Sequence, residues 1–158
     1  MLTVDEALSA LERGDDAAAL RALRAWAARG DISACHMLGY LYDVGRGTRR
    51  NRRLAMHWYR RAYRRGSSIS ATNIATMYRD AARPRLEFKW HERAARLGDA
   101  DAHVEVACRY IRGAGVAVNR RKAQKHLRAA LASDHITAHG RKTAGKLLAD
   151  LRPTRRGV

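Results

Sequence analysis

GDISACHMLGYLYDVGRGTRRNRRLAMHWYRRA, residues 30–62, recurs as GDADAHVEVACRYIRGAGVAVNRRKAQKHLRAA, residues 98–130, once the chain is shifted by 68 positions. Gly30, Asp31, Ala34, Tyr42, Gly45, Gly47, Asn51, Arg53, Ala55, Arg60 and Ala62 are matched by Gly98, Asp99, Ala102, Tyr110, Gly113, Gly115, Asn119, Arg121, Ala123, Arg128 and Ala130. A middle copy fills the gap. Its Gly66 and Tyr78 follow Gly30 and Tyr42 by 36 residues, whereas Trp90, Ala94 and Gly98 follow Trp58, Ala62 and Gly66 by 32. The middle copy has therefore lost four residues between its two halves. Fixed-period self-similarity of this length signals a stack of supersecondary units rather than a single irregular core.

Each unit reads as two helices. Apolar and small residues recur at steps of three and four, as in Leu54, Ala55, Trp58, Tyr59, Ala62 and Tyr63, which buries one helical face. The spacing predicts A helices near 31–44, 67–80 and 99–112 and B helices near 51–65, 84–97 and 119–132. Asn51 and Asn119 are suited to cap B helices, and Pro84 suits a first helical position, where its missing N–H costs nothing. Residues 3–13 and 15–29 form an opening hairpin by the same pattern, and 135–151 a closing helix with a polar back, leaving 152–158 as a basic tail. The expected architecture is one all-α domain over 1–151, with repeats at 30–65, 66–97 and 98–134. Long apolar–polar alternation is absent and proline occurs only twice, so strands are not expected.

The pattern A34-x3-LG-x2-Y42, then G45-x-G47, then A55-x2-WY-x2-A62-x3-G66 resembles the Sel-1-like repeat, a relative of the tetratricopeptide repeat, over residues 30–134. Departures are the missing Gly-x-Gly of the middle copy, Ala75 and Ala107 in place of Gly39, and His126 where Trp58 and Trp90 stand. The resemblance implies a right-handed superhelical solenoid of stacked hairpins. It also implies an adaptor that binds a protein or peptide on a concave face lined by A helices. Carried over by phase, that groove comprises Ser33, His36, Tyr40 and Asp43, then Ile69, Thr72, Thr76 and Arg79, then Asp101, Val104, Cys108 and Ile111. Secreted relatives staple each repeat with a cysteine pair, which Cys35 and Cys108 do not supply.

Charge is the other marked property. The formal net charge is +17, carried by 27 Arg and 5 Lys against 15 acids. It is uneven: residues 1–43 sum to −3, 44–79 to +10, 80–101 to zero and 102–158 to +10. A field of this sign favours acidic proteins or polyanions as partners. Arg53, Arg85 and Arg121 share one repeat phase, with Arg52 and Arg120 beside two of them, so a basic edge is expected along the starts of the B helices. Two readings follow: a non-enzymatic module for a protein or peptide of acidic character, and a nucleic-acid-binding module using arginine–phosphate contacts.

The remaining chemistry is sparse. No nucleophile elbow, H-E-x-x-H, P-loop or paired-cysteine motif occurs, so neither an enzyme nor a cofactor is expected. His135 and His139 are spaced to share a helical face, but no third ligand accompanies them and no metal is expected. The two cysteines are read as separate reduced thiols. No apolar run has transmembrane length, and a cytoplasmic bacterial protein is expected from these features together with the family resemblance.

Overall fold

Asn51 and Asn119 each accept a backbone hydrogen bond from three residues on, from Leu54 N–H at 3.0 Å and Lys122 N–H at 2.9 Å, and each begins a B helix. These contacts belong to a computed structural model that describes residues 2–151; the basic tail expected at 152–158 lies outside the described residues. The helices are α1 (Val4–Glu12), α2 (Asp16–Ala28), α3 (Ile32–Val44), α4 (Arg52–Tyr63), α5 (Ser68–Asp80), α6 (Pro84–Arg96), α7 (Ala100–Arg112), α8 (Arg120–Leu131) and α9 (Ala138–Asp150). No strand occurs among the described residues.

Side-chain caps satisfy N–H groups that a helix leaves unpaired. Thr3 and Glu6 close a capping box on α1. Asp15, Asp31 and Asp99 accept from Ala18, Ala34 and Ala102 N–H at the starts of α2, α3 and α7. Pro84 occupies the start of α6, where the side chain of Arg83 makes no cap bond. The closing helix starts at Ala138 and not near 135, because Thr137 is its cap. Its hydroxyl accepts from Gly140 N–H at 3.0 Å and donates to Asp101 Oδ1 at 2.8 Å.

The Gly-x-Gly loops are turn devices. Gly45 (φ 79°) and Gly113 (φ 73°) end α3 and α7 in the left-handed region, donating to Leu41 and Arg109 carbonyls, a conformation that suits glycine. Gly47 (φ 65°) and Gly115 (φ 76°) then bring each loop against the start of an earlier helix. A methyl at 47 would lie 2.5 Å from Asp16 Cβ, and one at 115 would lie 2.8 Å from the Arg85 backbone nitrogen. Between the first pair, Arg46 reaches back to Asp16 Oδ1 at 3.1 Å and donates to the Leu11 carbonyl. Each loop closes when Asn51 N–H meets Tyr42 O at 2.7 Å and Asn119 N–H meets Tyr110 O at 2.9 Å. In the middle copy Arg83 N–H meets Tyr78 O at 2.9 Å across three loop residues, 81–83, in place of seven. That tighter turn forces Ala82 to φ 51°, a conformation costing an L-residue about 1 kcal/mol or more.

The chain divides into two compact units, Met1–Ile74 and Ala75–Val158. In the first, α1–α2, α2–α3 and α3–α4 pack in succession around Leu11, Leu20, Leu23, Leu38, Leu41 and Tyr59. In the second, α6–α7, α7–α8 and α8–α9 pack around Phe88, Val104, Val106, Tyr110, Leu127 and Ile136. Alanines at close approaches, among them Ala34, Ala55, Ala62, Ala107, Ala123 and Ala130, are wholly buried, so adjacent helices meet at short range. Trp90 fills its core position at 6% exposure, but Trp58 is only half-buried, and the buried aromatic of α4 is Tyr59 at 1%. Cys35 is buried and Cys108 half-buried, both as free thiols. No helix of the described residues is long and apolar enough to cross a membrane.

Candidate interaction site

Helix α3 places Ile32, Ser33, His36 and Met37 on one face, and the turn into α5 brings Gly66, Ser67, Ser68 and Ile69 beside them. With Leu8 of α1 these residues line an open depression of about 420 Å³, wholly within the first unit. Ile69 is 58% exposed and Ile32 40%. Three groove residues expected from repeat phase, Ser33, His36 and Ile69, are therefore brought together.

His36 is held by a hydroxyl chain. Ser67 Oγ donates to Ser70 Oγ at 2.9 Å, and Ser70 Oγ lies 3.0 Å from His36 Nδ1. The Ser67–Ser70 pair thus fixes the orientation of the ring through Nδ1. Burial lowers the His36 pKa and keeps the ring neutral at pH 7. A Ser–His contact can activate a nucleophile, but Ser70 is 0% exposed; the hydroxyl pair orients the imidazole. Ser67 and Ser70 are absent from the repeat-phase reading. Their three-residue spacing carries a helix-start signal, since Ser70 N–H also donates to Ser67 Oγ.

The other expected groove positions behave differently. In the first unit Tyr40 is exposed and Asp43 and Thr72 are half-buried, with the Asp43 carbonyl accepting from Arg50 Nε at 2.7 Å. In the second unit Arg79 is exposed and Thr76 half-buried. Asp101 is engaged by Thr137, whose backbone N–H and hydroxyl both donate to its carboxylate. Val104 was expected to line the groove and is instead a core residue at 5% exposure, because it continues the inward stripe of Ala100 and Ala107 on α7. Ile111 and Cys108 are half-buried and pack against that core, and burial pushes the Cys108 thiol pKa up.

Of the basic positions, Arg53, Arg85, Arg120 and Arg121 are exposed and Arg52 half-buried. Arg53 belongs to the first unit and the other exposed three to the second. Arg121 lines a shallow trough with Asn119, Lys122, Gln124, Lys125 and Arg128. His135 and His139 do not share a helical face, since α9 begins only at Ala138. No group of three or more metal-ligating side chains occurs among the described residues.

Two polar clusters lay beyond sequence reasoning. Glu87 and His91, one turn apart on α6, are buried with Arg109 of α7. The guanidinium pairs with Glu87 and with Glu105 Oε2 at 2.5 Å, while His91 Nε2 lies 3.9 Å from Glu87 Oε1. Burial first, then the Arg109 charge, push the His91 pKa down to about 4. On the adjoining hairpin, His103 Nδ1 and His126 Nδ1 approach to 2.9 Å. Burial, followed by His103 and the neighbouring lysines, lowers the His126 pKa to about 4. With ring centroids 5.1 Å apart, the two nitrogens face each other nearly head-on, the arrangement of one shared N–H···N bond between neutral rings.

The Sel1 repeat family model matches residues 32–67, 88–99 and 100–135. Among solved structures, the Sel1 repeat protein from Oxalobacter formigenes superposes with a TM-score of 0.74 at 23% identity, over 82% of this chain and 55% of that one. A protective antigen of uropathogenic Escherichia coli strains displaying an SLR fold gives 0.68 at 19% identity, over 84% of this chain and 33% of that one. The chain thus spans about half the length of the first and a third of the second. Both are helical-repeat solenoids, and the fold here is of that all-α class. No curated protein matches the sequence.

Proposed function

The chain belongs to the Sel1 repeat family, whose repeats serve as protein-interaction modules, and on that premise we propose that it is a non-enzymatic bacterial adaptor that takes a protein or peptide segment on the A-helix face of its first unit. The observation that supports this reading is the depression around His36, where two exposed isoleucines flank an oriented imidazole. An apolar partner side chain can bury against Ile32, Met37 and Ile69 while a main-chain polar group hydrogen-bonds the imidazole of His36. The basic side chains outside this face raise the encounter rate with an acidic partner more than the final affinity. A cytoplasmic location fits two unpaired thiols.

A photo-activated cross-linker placed at Ile69 in native-host cells, and separately at Arg49, tests the reading. Capture of one defined protein from position 69, lost in the His36→Ala background and absent from position 49, is the expected result. Equal labelling from both positions would remove the site. A second reading, nucleic-acid binding through arginine–phosphate contacts, is favoured by the +17 charge. Nuclease treatment before capture separates the two, because only nucleic-acid-mediated capture disappears.

A further inference from the structure

Helix α8, RRKAQKHLRAAL, turns Ala123, Leu127 and Ala130 into the core of the second unit. Its outer side is left to Arg121, Lys125 and Arg128, which follow one another at four and three residues and therefore share a face. With Lys122, Asn119 and Gln124 they line an open trough of about 530 Å³. Helix α8 carries five cations, Arg120, Arg121, Lys122, Lys125 and Arg128, and no acid.

Two arginines of this protein are neutralised in place by carboxylates. Arg109 pairs with Glu87 and Glu105, and Arg46 with Asp16. Among the described residues, Arg121, Lys125 and Arg128 have no carboxylate within ion-pair distance. Like charges one helical turn apart repel, by a few tenths of a kcal/mol per pair, so this face is less favourable bare than covered by negative charge. The amides add little negative charge: Asn119 Oδ1 is occupied by Lys122 N–H, and Gln124 Nε2 donates to the Leu151 carbonyl.

We propose that the Arg121–Lys125–Arg128 face of α8 is a docking surface for a short run of carboxylates in an acidic polypeptide segment. The inference rests on the reading of this chain as a protein-interaction module and names the chemistry of a second contact. Seven residues of helix separate Arg121 from Arg128, roughly 10 Å, which an extended segment crosses in about three residues. Two arginine forks at the ends can each take a carboxylate in bidentate fashion, with lysines as point charges between them. No exposed aromatic lines the trough; Tyr110 is 5% exposed and lies beneath Lys122 Nζ, 5.4 Å from its ring centroid. A single-stranded nucleic acid therefore lacks the stacking platform such sites use.

The test measures fluorescence anisotropy of a labelled twenty-residue poly-L-glutamate, and of a single-stranded oligonucleotide of equal length, with the full chain at moderate salt. The trough variant is R121Q/K125Q/R128Q. A charge-matched control, R49Q/R64Q/R96Q, removes three exposed arginines elsewhere, and circular dichroism verifies that both stay helical. Loss of about tenfold or more in polyglutamate affinity for the trough variant, against no more than about twofold for the control, is expected from three exposed ion pairs. Equal losses in both variants would reduce the effect to overall charge and overturn the proposal. So would tighter binding of the oligonucleotide than of polyglutamate at the trough. Polyglutamate failing to bind while the Ile69 cross-link persists would refute this surface and leave the adaptor reading intact.

Discussion

Gly39 of α3 lies directly against the ring of Tyr59 on α4: a methyl at position 39 would stand 2.6 Å from Cε1 and 2.9 Å from Cγ. In repeat register Gly39 corresponds to Ala75 and Ala107, and Tyr59 to His91 and Leu127. Where the A helix has gained a methyl, the B helix has a smaller side chain. The departure from the family glycine in two copies is thus accompanied by a volume change at the facing position.

Gly39→Ala should accordingly destabilise the protein by about 1–3 kcal/mol, as overpacking does. Adding Tyr59→Leu reproduces the third repeat's combination, and the double variant should be more stable than the sum of the single effects predicts. Urea unfolding of the four proteins in the cycle measures this coupling; strict additivity would show that the two positions do not compete for space.

Two other glycines should respond with opposite signs. Gly115 combines φ 76° with a backbone neighbour that cannot move aside, so Gly115→Ala should cost about 2 kcal/mol or more. Gly145, within α9 and with nothing within 4 Å of an added methyl, should gain about 0.5–1 kcal/mol on replacement by alanine. Thermal melts of the two variants, one below and one above the parent, check both.

Replacing Trp90 by alanine should cost about 3–5 kcal/mol, while Trp58→Ala should cost distinctly less, because half-burial removes less apolar area from water. Each indole carries an arginine over its ring, Arg93 at 4.3 Å and Arg61 at 5.4 Å, so that contact does not set the order. Equal losses in chemical denaturation would contradict the difference in burial.

Stability should fall on acidification well before the carboxylates titrate. His91 and His126 have folded pKa values near 4, below the 6.5 or so of an unfolded histidine. Between those values the unfolded chain binds more protons, so stability is full above about pH 6.5 and is lost as pH falls toward 4. Urea midpoints at pH 7 and 4.5 should show this loss. His91→Leu, the residue of the equivalent third-repeat position, should lose less over the same interval; an unchanged slope would remove His91 as a contributor.

Local constraints were legible in the sequence because one residue carries each of them. The asparagine caps, the proline at the start of α6 and the glycines ending α3 and α7 required nothing beyond backbone geometry, and the repeat spacing supplied the helices between. Of the groove positions expected from repeat phase, Ser33, His36 and Ile69 line one depression because they face the same side of the α3–α5 approach. Val104 shares the phase of those residues, yet the packing of α7 draws it inward. Trp58 and Trp90 likewise share a position, but their covering depends on neighbours that the register does not specify. The pairing of Glu87 with Arg109 was hidden for a related reason: on each helix alone the charge reads as solvated surface, and only the α6–α7 contact encloses it.

The loops with two glycines leave one letter free. Because Gly45 and Gly47 fix the turn through backbone angle alone, the intervening side chain can be anything, and the first repeat holds there Arg46, anchored to the Leu11 carbonyl and Asp16. The third repeat has Ala114 at that place, exposed and without such an anchor. A sequence lineage can therefore gain or drop a tether between neighbouring hairpins by a single codon change without disturbing the turn, which gives a duplicated repeat a low-cost route to individuality.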